Sequence, residues 1–198
     1  MDYDFTAGMS SLLVSYFYPP YRLLKRMNPK IAEWFVSRPS NNVVLNFLEY
    51  LAIKTVLRFP MLDEHQIPLL DISSLKTYCE NTRTTIGLFS RRPTEQLKRI
   101  SQKAGYLEVA SVAVGSESFQ DMANRGYVRR CVMLLDEPAE RTLVMSDSPF
   151  DLIKAKEIGA KTCGVPVFYL RESLEALKPD FGVRTAQETV ESLYQTYV

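Results

Sequence analysis

The sequence predicts an α/β domain with a mainly parallel sheet covered by helices on both faces, preceded by an N-terminal helical extension. Two observations carry this. Strand-like and helix-like patterns alternate from Asn42 to the C-terminus, the order that builds a parallel sheet through crossover helices. Residues 142–165 also read as one complete unit of buried strand, acidic turn, amphipathic helix and second strand. At 198 residues the chain has room for one well-cored domain and an extension.

The extension is residues 1–41. Ser11–Tyr18 is apolar and aromatic, and Pro19-Pro20 breaks it. Tyr21–Val36 carries Leu23, Leu24, Met27, Ile31 and Phe35 at helical spacing, with Arg22, Lys25, Arg26 and Lys30 between them. The run Ser37–Asn42 is a breaker cluster. Two uses of this arm stand open, packing on its own domain or docking on a partner or membrane surface through residues 11–36.

The domain is residues 42–198. Val43–Phe47 reads as a short apolar strand and Leu69–Tyr78 as a helix. Thr85–Phe89 reads as a strand ending at Ser90. Pro93 opens a helix with Leu97, Ile100 and Ala104 on one face and Gly105 as its stop. Val109–Val114, Thr142–Met145 and Lys161–Val165 are further strands. Leu152, Ala155 and Ile158 line the helix between the last two, which Gly159 ends. Phe181–Val183 is a last strand before a helix over Ala186–Tyr194.

Composition narrows the function classes. The formal net charge is +1, with no basic stripe of the kind nucleic acid requires. No apolar run approaches the ~20 residues that span a bilayer. Cys79, Cys131 and Cys163 are far apart with apolar neighbours, which reads as buried free thiols in a reducing compartment. His65 is the single histidine, so no histidine cluster can hold a metal. Asp2 and Asp4 argue against a cleavable mitochondrial presequence, which is normally poor in acids.

Asp147 and Asp151 are the informative pair. They sit where a strand gives way to a helix, and ligands of open α/β sheets bind at such carboxyl ends. Carboxylates there suit Mg²⁺, which takes oxygen ligands. The same residues also suit the start of a helix, and Ser90 equally suits a cap on the turn after its strand.

With those residues in place, the chain resembles the haloacid dehalogenase superfamily of phosphatases over about residues 43–194. Ser90 matches the second, phosphate-binding motif. Ser146-Asp147-Ser148-Pro149-Phe150-Asp151 matches the fourth, metal-binding motif, with Ser146 where glycine is usual. The resemblance implies a HAD-like Rossmannoid fold. Within the superfamily, Arg125–Arg130 and Arg141–Pro149 are similar to the NLI-interacting-factor group. That group holds the RNA polymerase C-terminal-domain phosphatases and the receptor subunit of the mitochondrial presequence translocase. On this alignment Arg130 takes the place of the third-motif lysine and, with Ser90, forms a phosphate-binding remnant.

The first motif, Asp-x-Asp, departs from the family. At Val43–Leu51, Asn46 replaces the nucleophile, Leu48 the acid and Tyr50 the threonine. An amide does not readily form an aspartyl phosphate and leucine donates no proton. A rival match lies at Asp2-Tyr3-Asp4-Phe5-Thr6, at a distance from Ser90 that suits a member with an inserted helical cap. There Asp2 would be the nucleophile and Asp4 the acid of an active Mg²⁺-dependent phosphatase. Only Met1 precedes Asp2, however, so no strand leads into the pair, and this is read as a chance match.

The resemblance therefore implies a catalytically inactive, pseudophosphatase domain without cofactor, with Asp147 and Asp151 a vestige of the metal site. Its expected setting is a subunit of a protein complex, mitochondrial in the matrix or at the inner membrane, and otherwise cytoplasmic.

Overall fold

The computed structural model describes residues 4–8, 13–14, 26–28, 67–167 and 169–197. The chain runs β1 (Asp4–Gly8), β2 (Leu13–Val14), β3 (Ile67–Pro68), α1 (Ile72–Thr82), β4 (Ile86–Phe89), α2 (Thr94–Lys103), β5 (Val112–Val114), α3 (Phe119–Ala123), α4 (Gly126–Leu134), β6 (Thr142–Ser146), α5 (Pro149–Glu157), β7 (Lys161–Gly164), α6 (Arg171–Glu175) and α7 (Ala186–Tyr197). Five strands form one sheet in the order β5-β4-β1-β6-β7, and every pairing in it is parallel. This is the α/β class expected from the alternation of patterns.

Strand periodicity explains the layering. Successive side chains of a strand point to opposite faces. Ile86 and Leu88 of β4, with Leu143 and Met145 of β6, face one way and bury against Leu97 and Ile100 of α2 and Val190 and Leu193 of α7. Phe89 and Val144 face the other way and bury against Tyr127, Val128 and Cys131 of α4 and Ala155 of α5. All five residues of β6 are buried, as an interior parallel strand demands.

Helix ends follow local chemistry. Asp71 caps α1 by accepting from the Ser74 amide at 2.9 Å. Thr185 and Glu188 form a reciprocal capping box at the start of α7, at 2.8 and 3.1 Å. Gly105 and Gly159 end their helices at φ +80° and +85°, a conformation that costs glycine little. The expected last strand contracts to one parallel bridge between Gly164 and Val183. Helices α3 and α4 were not foreseen.

The larger correction concerns the centre of the sheet. The slot between β4 and β6 is filled by Asp4–Gly8, so these residues belong to the domain and the boundary at Asn42 does not hold. Val43–Phe47, with Asn46, Leu48 and Tyr50, lies outside the described residues. Of the expected helix over Tyr21–Val36, Arg26 and Met27 are described, and both are helical and exposed. β2 and β3 pair antiparallel, Leu13 with Pro68 and Val14 with Ile67. Among the described residues, no helix is long and apolar enough to cross a membrane.

A central strand cannot be removed without exposing both ladders. Deleting residues 1–8 is therefore expected to abolish the cooperative thermal transition seen by circular dichroism. An appended arm would leave that transition in place.

Candidate functional site

The site is built at the carboxyl ends of β4 and β6. β4 stops at Phe89, and the Ser90 amide donates to Val114 O at 3.1 Å. Ser90 Oγ accepts from the Arg92 amide at 3.1 Å. This is the turn cap that a serine after a strand commonly makes. β6 stops at Ser146, and Pro149 opens α5 at a position where its missing N–H costs nothing. Asp147 and Asp151 are therefore both delivered to this end, 3% and 6% exposed.

Asp151 lies in the first turn of α5, where the helix dipole favours an anion. Its two oxygens are occupied. Oδ1 accepts from the Tyr127 hydroxyl at 2.8 Å and lies 3.5 Å from Arg125 Nε, an ion pair without hydrogen-bond alignment. Oδ2 accepts from the Ser146 hydroxyl at 3.0 Å. Ser146 Oγ in turn accepts from the Ser148 amide at 3.1 Å. The serine standing where the family usually has glycine thus spans the turn and holds the carboxylate.

Arg125 is the cation of this network, and the sequence reading missed it. Its side chain is 7% exposed. Its Nη1 donates to Met122 O at 2.7 Å, and its guanidinium lies 5.5 Å from the Phe150 ring centroid. Arg125 precedes α4 at φ +55°, a left-handed backbone that is uncommon for a non-glycine residue.

Arg130, expected as the third-motif cation, is committed elsewhere. Its guanidinium grips both carboxylate oxygens of Asp121 in α3 and donates to Gly115 O at 2.8 Å. That contact ties α4 to α3 and to the loop after β5. The correction follows from reach. Five residues along the chain, Arg130 has a carboxylate of its own, and Arg125 at the head of the helix meets Asp151.

Two tyrosines and a further arginine complete the surroundings. Tyr127 is fully buried and stacks on Phe89 with ring centroids 6.0 Å apart. Burial pushes its hydroxyl well above the ordinary tyrosine value, and the Asp151 charge pushes it further, against Arg125 and Arg91. Burial also raises Tyr169 to about 12, with Arg91 and Arg125 pulling down and Asp147 and Asp151 pushing up. Arg91 follows Ser90 directly and so lies at the same end of the sheet.

The rival first motif fails on register. Asp4 pairs with Thr142 at the start of β6, five residues before Asp147, or about 16 Å at the rise of a strand. The strand runs away from Asp4, which therefore lies at the opposite end of the sheet from Asp147. Asp2 lies outside the described residues. The residue delivered to the functional end is Gly8, in register with Phe89. It is followed in sequence by Met9-Ser10-Ser11, and no Asp or Glu occurs from Phe5 to Ala32.

The donor set fits Mg²⁺ poorly. A hard divalent ion wants several anionic oxygens, and both oxygens of Asp151 already serve a guanidinium and two hydroxyls. Among the described residues, no three His, Cys, Asp or Glu side chains converge as metal ligands would. Cys131 and Cys163 are buried thiols outside any disulfide, and Cys79 is a half-buried one whose pKa burial raises to about 11.

No protein-family model and no curated protein matches the chain. Solved structures do. A haloacid dehalogenase-like hydrolase of Streptococcus pneumoniae aligns at TM-score 0.71 and 12% identity, over 100% of this chain and 99% of that one. A predicted phosphatase of Clostridium acetobutylicum aligns at 0.68 and 14%, over 98% and 100%. A predicted phosphoglycolate phosphatase of Haemophilus somnus aligns at 0.67 and 13%, over 96% and 97%.

Two expectations follow from the site. Tyr127→Phe removes a buried donor to Asp151 and is expected to cost about 1–3 kcal/mol by urea denaturation. The buried phenols also set an alkaline limit. Tyr106 and Tyr169 reach about 12 when folded, against about 10 unfolded. Their contribution is complete below about pH 10 and is lost as the pH rises toward 12, because only the unfolded chain ionises in that window. The Tm should fall across it in step with tyrosinate absorbance, and less steeply in Tyr169→Phe. In topology, length and layering, this chain has the haloacid dehalogenase-like α/β fold.

Proposed function

We propose that this chain is a catalytically silent form of the fold, acting as a binding or structural subunit of a larger protein assembly. One observation carries the reading. The central strand delivers Gly8 to the functional end of the sheet, and the sequence that follows offers no carboxylate before Glu33. Aspartyl-phosphate chemistry needs a carboxylate nucleophile held at that place and an acid two residues beyond it. Gly8 and Ser10 can supply neither. Loss of the nucleophile agrees with the state of Asp151, whose oxygens are engaged within the protein.

The hydrolase and phosphatase names of the matched structures belong to those proteins, at 12–14% identity, and function does not travel with a fold. The narrower likeness to the NLI-interacting-factor group rests on Arg125–Arg130 and Arg141–Pro149 alone. The proposed mitochondrial, inner-membrane-associated setting and its protein partners rest on the same segments.

The test is hydrolysis of p-nitrophenyl phosphate by the purified full chain with Mg²⁺. No turnover above buffer is expected. Turnover that disappears in Asp147→Asn would overturn the reading.

A further inference from the structure

We propose that the Arg125 guanidinium holds the place of a divalent cation at the end of the sheet, so that Asp151 is closed to metal by the chain's own side chains. Three partners on three different elements converge on this one carboxylate. Ser146 comes from the end of β6, Tyr127 from α4, and Arg125 from the turn before α4. Between them they contact both oxygens. The arginine and aspartate side chains are 7% and 8% exposed, so neither charge can be left to water. A carboxylate buried to this degree needs a positive partner, and here the chain supplies it covalently.

The backbone shows that the arrangement is imposed and not incidental. Arg125 adopts φ +55°, a conformation with a steric cost for a side chain of this size. Gly126 follows it, and a Cβ there would stand 2.3 Å from Asp121 Oδ1. Asp121 is held in that position by Arg130. The grip that fixes α3 against α4 therefore also fixes the turn that carries Arg125 inward. Met122 O then takes Nη1 at 2.7 Å and the Phe150 ring lies beside the guanidinium. A planar fork with fixed donors suits such a mould better than a flexible ammonium. Arg125 positions and neutralises Asp151, and an external ion would have to displace it.

This assignment concerns the cation and does not rest on the missing nucleophile. A chain that bound metal at Asp151 and still hydrolysed nothing would overturn it and leave the proposed function intact. The experiment is titration of the full chain with Mn²⁺, read from the electron paramagnetic resonance signal of the free ion. The unaltered chain is expected to take up no stoichiometric Mn²⁺, and Asp151→Asn to behave identically. Arg125→Gln is expected to gain affinity by about tenfold or more, the size by which neighbours of a metal site commonly change its binding. Adding Asp151→Asn to that variant should remove the gain. Stoichiometric uptake by the unaltered chain that Asp151→Asn abolishes would overturn the proposal, and this comparison stands even if Arg125→Gln does not fold. A folded Arg125→Gln with no gain in affinity would overturn it as well.

Discussion

A buried carboxylate must be neutralised, and the end of this sheet is organised around that requirement. Asp151 is carried into the interior because α5 begins immediately after β6, and β6 is buried along its whole length. The dipole of α5 offsets part of the charge, and a guanidinium and two hydroxyls offset the rest. Desolvating an ion costs several kcal/mol even after relaxation. Such an arrangement persists only where the partners are held in place by other contacts. Arg125 is so held, by Met122 O and by the turn that places it before α4. Tyr127 is held by its stacking on Phe89.

The constraint propagates outward. To bring Arg125 inward, the chain must reverse between α3 and α4, and it does so through one left-handed residue followed by a glycine. That turn leaves Asp121 directly against Gly126, and Arg130 satisfies Asp121 while also reaching Gly115 O. Gly115 itself has no room for a side chain, since a Cβ would stand 2.2 Å from Arg92 O and the Thr94 amide. The loop after β5, the turn after β4 and the head of α4 are thus locked together. The charge at Asp151 and the packing of the α3–α4 layer form one cooperative unit.

The sequence disclosed those parts whose physics is local. β4 and β6 are largely apolar runs followed by serine and aspartate, β7 follows the helix-ending Gly159, and α2 is bracketed by Pro93 and Gly105. The positions of Ser90, Asp147 and Asp151 at strand ends followed from the same punctuation. β1 was hidden because Asp-Phe-Thr-Ala-Gly is short, half polar and at the start of the chain, whereas Val43–Phe47 looks more like a buried strand. Pairing is a long-range property, and only the register with Ile86–Phe89 and Thr142–Met145 distinguishes the two segments. Arg125 was hidden for a related reason. A left-handed arginine has no sequence signature, and Arg130 stood at the expected place. Nothing local reveals that Asp121, nine residues earlier, would capture it.

The residues around Asp151 depend on one another. Without a positive partner Asp151 would be an unpaired buried anion, a strongly destabilising state. Ser146 in place of glycine adds a hydroxyl donor, and Arg125 adds the positive charge. Ser146, Tyr127 and Arg125 are the residues that make Asp151 tolerable in the fold. The charge of Asp151 is part of the packing, since Asp151 and Arg125 are both buried and each is the other's counter-charge. That mutual dependence ties the acidic turn after β6 to the head of α4.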